Sequence, residues 1–142
     1  MRNITILFFL AATSLCERTS GQCRTDALTN ACIPKLTTSG FNFLKSYKID
    51  GEPDLTKVEY SYVFAKGTQY MISICDENAK ANTINITLYD AQRNKVASNK
   101  VGGELLSAIA YSCNATGIYY LQYTFDKSSS RCGGSVLGFK RQ

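Results

Sequence analysis

Six cysteines and no histidine bound the chemistry open to this chain of 142 residues. Without His there is no Ser-His-Asp or Cys-His triad, no His-bearing zinc site and no imidazole general base. No Cys-x-x-Cys occurs, so neither a thioredoxin-type redox centre nor a zinc ribbon is indicated. A cysteine nucleophile would have no base to deprotonate it. That leaves disulfides. Calcium needs several converging oxygens, and two acidic loops offer some: Asp50, Glu52 and Asp54 in one, Asp76, Glu77 and Asn78 in the other. Neither has the spacing of an EF-hand, and acids are common in turns, so no cofactor is expected. The same acids would furnish a carboxylate pair for glycoside hydrolysis, but any 11 acidic residues would do so. The chain therefore reads as a non-enzyme.

The aromatic residues are more informative. In Ile118 to Phe125, Tyr119, Leu121, Tyr123 and Phe125 alternate with Ile118, Tyr120, Gln122 and Thr124. The first set is core. The second is a polar face with an aromatic, which suits a sugar or protein ligand because Tyr combines apolar area with a hydroxyl. Asn85, Thr87 and Tyr89 alternate in the same way with Ile84, Ile86 and Leu88. Tyr120, Gln122, Thr124, Asn85, Thr87 and Tyr89 are thus the candidate ligand-binding residues.

These faces need strands to hold them, and from Gly40 onward the hydrophobic period is two. Phe41, Phe43, Tyr47 and Ile49 are expected on one face of a first strand. Val58, Tyr60, Tyr62 and Phe64 mark a second, and Tyr70 to Cys75 a third. Ile84 to Tyr89 is the fourth, Lys95 to Asn99 a short fifth, and Leu106 to Tyr111 the sixth. Ile118 to Phe125 is the seventh and Gly134 to Phe139 a last strand weakened by glycine. About eight short strands, with 44% hydrophobic and 19% charged residues, predict an all-β, antiparallel, jelly-roll-like sandwich over 40–142. Ahead of it, residues 22–39 are polar with a single Pro34 and read as an irregular N-terminal strap.

Residues 1–21 read as a secretory signal peptide: Arg2, an apolar run from Ile4 to Ala12, and small Thr19 and Gly21 before the expected cut. A cut after Ser14 is the alternative. The run is too short for a membrane span. Bulky Leu15 ahead of Cys16 argues against a lipid anchor. Removing residues 1–21 takes away two Arg and one Glu, so the net charge of +5 falls to +4. The cations are scattered rather than striped, which disfavours nucleic acid. A secreted, periplasmic or cell-surface location follows.

The stretch from about Tyr62 to Phe125 resembles the bacterial pre-peptidase C-terminal (PPC) domain. Phe64-Ala65-Lys66-Gly67-Thr68-Gln69-Tyr70-Met71-Ile72 is similar to that family's strand-turn-strand with Gly-Thr-x-Tyr. Ile86-Thr87-Leu88-Tyr89-Asp90 resembles its Leu-Tyr-Asp strand end, and Ala115-Thr116-Gly117-Ile118-Tyr119-Tyr120-Leu121 its Gly-x-Tyr-Tyr strand. The resemblance implies a non-catalytic sandwich that accompanies secreted enzymes, some members binding calcium or matrix polymers. This chain departs from the family in carrying extra cysteines and no attached protease, and so looks like a stand-alone relative.

The expected role is an exported binding or accessory module for an extracellular polysaccharide or protein. A structural subunit of a surface complex, joined through a spare cysteine, is the alternative. Cys75 and Cys113 end strands and are expected to pair. Cys132 is expected to bridge to Cys32 of the strap, leaving Cys23 spare; a local Cys23–Cys32 bridge is the other possibility.

Overall fold

The computed structural model describes residues 23–51, 55–76, 83–125 and 131–142. Residues 1–21, read as the signal peptide, lie outside them. Two four-stranded antiparallel sheets face each other. The first holds β1 (Asn42–Asp50), β10 (Cys132–Arg141), β3 (Thr68–Asp76) and β8 (Ala108–Ser112), in that order. The second holds β2 (Lys57–Phe64), β9 (Gly117–Phe125), β4 (Ile84–Tyr89) and β5 (Lys95–Ser98). A two-stranded hairpin, β6 (Lys100–Val101) with β7 (Glu104–Leu105), follows β5. The chain crosses between sheets at nearly every connection, which is the jelly-roll arrangement of an all-β sandwich.

The alternating positions meet between the sheets. Tyr47 and Ile49 of β1, Ile72 and Ile74 of β3, Ile84, Ile86 and Leu88 of β4, and Tyr119, Leu121 and Tyr123 of β9 are all buried there. Phe64 is sandwiched between Tyr70, 3.9 Å away by ring centroids, and Tyr119, 4.8 Å away. The fully buried Tyr123 hydroxyl donates to Ser135 Oγ at 2.8 Å, which satisfies its polar tip.

Three expectations are corrected here. Neither Phe41, which packs in the α1 layer, nor Phe43 shares the core face with Tyr47 and Ile49: a bulge shifts the register between Phe43 and Lys45. An extra residue inverts the alternation beyond it, so Leu44 packs on the core and Phe43 is exposed. The strap is not irregular either. Thr25–Thr38 forms a 14-residue helix, α1, with Asp26 in its first turn and Lys35 in its last, both favourable to the helix dipole. Its buried stripe is Thr25, Thr29, Cys32 and Leu36, a 4-3-4 spacing. That is helical periodicity, but half of it is carried by threonines, which a hydropathy count does not score as apolar. The last strand, finally, is not weak. β10 is the longest in the structure and lies between β1 and β3.

Two of the three glycines of β10, Gly134 and Gly138, lie under α1, while Gly133 makes room for Ile84 of the opposite sheet. A Cβ on Gly134 would fall 2.5 Å from the Thr29 nitrogen, and one on Gly138 3.0 Å from Leu36 Cδ1. Cys32, Leu36, Phe41 and Val136 make a second, small core in this layer.

The disulfides differ from the expected pairs. Cys23 joins Cys132 and Cys32 joins Cys75, with Cα separations of 5.4 and 5.7 Å, while Cys113 is a buried free thiol. Cys75 and Cys113 both end strands, but at opposite ends of β3. Cys113 exchanges backbone hydrogen bonds with the start of β3, its N–H donating to Thr68 O at 3.0 Å. Seven residues of strand, about 23 Å, part Thr68 from Cys75. Cys75 instead lies opposite Gly134, where α1 brings Cys32 over it.

Non-reducing peptide mapping is expected to return Cys23–Cys132 and Cys32–Cys75, with Cys113 alkylated only after denaturation. A Cys75–Cys113 peptide would contradict the register of β3 and β8. Gly134→Ala is expected to cost about 1–3 kcal/mol through overpacking. Gly117→Ala, where an added Cβ meets nothing within 4 Å, is expected to stay within about 0.5 kcal/mol; urea unfolding reads both.

Candidate functional site

With α1 on the outside of the β1–β10–β3–β8 sheet, the outward face of the β2–β9–β4–β5 sheet is the open one. Strand register builds it in three rungs. Lys57, Thr124 and Asn85 lie side by side; then Glu59, Gln122, Thr87 and Ser98; then Ser61, Tyr120 and Tyr89. All six candidate residues therefore share one contiguous patch. Thr87, at its centre, is buried, and the other five are half-buried. Val63 and Ile118, paired across β2 and β9, extend the patch with exposed apolar surface.

Two residues not anticipated from sequence organise the patch. Arg93, in the β4–β5 turn, folds back so that its guanidinium lies 3.6 Å from the Tyr120 ring centroid. Its Nη1 donates to both carboxylate oxygens of Glu59 at 2.9 Å. Gln122 Nε2 donates to the same carboxylate at 3.2 Å. The turn that aims Arg93 is held by Asp90, whose Oδ1 accepts from the Gln92 and Asn94 N–H groups at 3.0 and 2.8 Å. Arg93 itself has a φ of 63°, a left-handed conformation that a side chain adopts only when its surroundings enforce it. The Asp90-x-x-x-Asn94 pattern signals the turn. No sequence spacing signals that its Arg meets Glu59, 34 residues earlier.

The Glu59 carboxyl responds to these neighbours. Burial alone would push it up, but hydrogen bonds from Arg93 and Gln122 and the charges of Arg93 and Lys57 outweigh that and hold it below its usual range. A carboxylate depressed in the folded state adds stability above its unfolded pKa and loses it as pH falls through the folded value.

The hairpin β6–β7 walls one end of the face. Its Lys100, Gly103 and Leu105 enclose a groove of about 340 Å³ over Asn85, Thr124 and Phe125. The hairpin is pinned by buried Asn99, whose Oδ1 accepts from the Ile86 N–H at 2.8 Å while Nδ2 donates to the carbonyls of Ile84 and Leu106. Beyond the opposite end, a cleft of about 440 Å³ runs between the β4–β5 and β8–β9 turns, lined by Gln92, Tyr111, Asn114 and Ile118 among others.

Glu52, Asp54, Glu77 and Asn78 lie outside the described residues, and Asp76 Oδ2 accepts from Thr83. Among the described residues no three His, Cys, Asp or Glu side chains group as metal ligands.

No protein-family profile matches the chain, and no curated protein does. Solved structures do. The chain is similar to PliG of Aeromonas hydrophila, a periplasmic inhibitor of g-type lysozyme, at 16% identity over 72% of this chain and 86% of that one, with a TM-score of 0.44. It is likewise similar to the pre-peptidase C-terminal domain of collagenase from Bacillus anthracis, at 18% identity over 68% and 86%, with a TM-score of 0.42. The second is the domain type that the three sequence motifs resemble. Both likenesses are of fold.

Replacing Arg93 with Ala is expected to raise the Glu59 pKa toward the ordinary carboxylate value, read by carboxyl-carbon NMR titration. The stability difference between the two proteins should shrink as pH falls below that window. An unmoved Glu59 would mean that Arg93 does not sit on it in solution.

Proposed function

We propose that this protein is a small exported, non-catalytic binding or accessory module whose outward β2–β9–β4–β5 face engages an extracellular polysaccharide or protein. The observation that carries this is the convergence of Tyr120, Gln122, Thr124, Asn85, Thr87 and Tyr89 on one rigid face, with Tyr120 and Gln122 fixed by Arg93 and Glu59. Binding faces are built on elements whose side chains are already held in place, because ordering them on contact costs affinity. Export accords with the two disulfides, which persist in oxidising compartments, and with a signal peptide over residues 1–21. No helix among the described residues is long and apolar enough to cross a membrane.

The alternative of a surface-complex subunit joined through a spare cysteine loses its particular support. Among the described residues the unpaired cysteine is Cys113, not Cys23. Its thiol is 4% exposed and donates to the Ala115 carbonyl at 3.2 Å, so it is not presented to another chain.

Tyr120→Ala is expected to weaken ligand binding by about 1–2 kcal/mol, the scale of an interface aromatic. Stability should fall by no more than about 1 kcal/mol, the worth of an exposed cation–π contact. A glycan array read with the purified protein, the variant and Thr124→Arg measures the first, and urea unfolding the second. Equal binding by all three proteins would remove the face from consideration.

A further inference from the structure

Arg93 has more donors than its partners use. A guanidinium presents five N–H groups in a fixed planar fork. The two on Nη1 are taken by Glu59. The three on Nε and Nη2 have no protein partner among the described residues, and the side chain is 53% exposed. Tyr120 beneath the plane and Glu59 at one corner fix the orientation of the open edge. Such an edge matches the two oxygens of a carboxylate, and being held in advance it loses little freedom on binding one.

Two acids stand beside it, Asp90 in its own turn and Glu59, and the cations around the face outnumber them. Glu59 is the only acid on the outward rows of the four strands among the described residues, and Arg93 neutralises it. Lys57 stands on the same row as Glu59, Lys95 pairs with Tyr89 on β5, and Lys100 lines the groove over Asn85 and Thr124. Cations therefore lie at both edge strands, about 14 Å apart at ordinary strand spacing, with amides, hydroxyls and two tyrosines between. A protein interface of comparable size concentrates apolar area at its centre and excludes charge there. Here the centre is Gln122, Thr87 and an ion pair.

Resting on the face assignment above, we propose that Arg93 is the specificity-determining residue and that the ligand is a carboxylate-bearing polysaccharide, a polyuronate. Its carboxylate lies on the open edge of Arg93. The neighbouring sugar hydroxyls meet Gln122, Asn85 and Thr124, and further carboxylates meet Lys57, Lys95 or Lys100.

The test is affinity of the whole exported protein for polygalacturonate, dextran sulfate and neutral dextran at physiological salt, where loosely matched surface charges are screened. Wild type is expected to bind polygalacturonate and not dextran. Arg93→Lys keeps the charge and loses the fork, and should weaken polygalacturonate binding about tenfold or more with an unchanged melting temperature. Lys140→Ala, on the other sheet, should change nothing. Equal binding by Arg93→Lys, or equal loss with Lys140→Ala and for dextran sulfate, would reduce the effect to general charge and overturn the proposal. A neutral glycan or a protein bound with sensitivity to Gln122→Ala, and no polyuronate bound, would also overturn it while leaving the face intact. Polygalacturonate binding indifferent to both Arg93→Lys and Tyr120→Ala would sink the face as well.

Discussion

The approach of α1 to β10, close enough that Gly134 has no room for a methyl group against the Thr29 backbone, governs what the rest of the molecule can present. It closes the outer side of one sheet and leaves the other open. A 14-residue helix is marginal by itself in water, and the apolar layer beneath it is small. The two disulfides compensate. Spanning 109 and 43 residues, they are each worth about 4–5 kcal/mol in the chain-entropy model, and both anchor the helix end of the chain to the central strands. Gly134 and Gly138 of β10 and the four bridged cysteines are thus one device.

The open face inherits its geometry from the core on its reverse. Tyr119, Leu121 and Tyr123 point inward from β9 and fix its register against β2 and β4. A slip of one residue would drive Tyr120 and Gln122 into the interior and these three outward. The Phe64 stack with Tyr70 and Tyr119 ties the two sheets together at the β8–β9 end of the sandwich, and Asn99 holds the wall at the other. The backbone rungs of the polar face are therefore set by the same register as the core behind them.

The Arg93–Glu59 pair contributes little to stability, since both side chains are partly solvated and exposed ion pairs are worth at most about 1 kcal/mol. Its effect is positional. A left-handed residue in a turn held by Asp90 carries a long cation back over the sheet, and the acid and the ring it meets come from two other strands. The result is a fixed arrangement of planar groups on an otherwise ordinary solvated face.

Much of this was legible in the sequence because strand periodicity is local. Alternation in Val58, Tyr60, Tyr62 and Phe64, and again in Tyr119, Leu121 and Tyr123, is enough to mark the sandwich and to sort inward from outward residues. It also placed Asn85, Thr87 and Tyr89 on the same side of their strand as Tyr120, Gln122 and Thr124 are of theirs. What is not local was not legible. The face of α1 is made of Thr25, Thr29, Cys32 and Leu36, half of it threonine, and its burial depends on the glycine floor that β10 provides about 100 residues later. The bulge that turns Phe43 outward, the cysteine pairs and the meeting of Arg93 with Glu59 depend on which strand ends lie at the same end of the sandwich. Residue type and period decide how a segment folds and which side it hides; only the packing of the two sheets decides which distant side chains come within bonding distance.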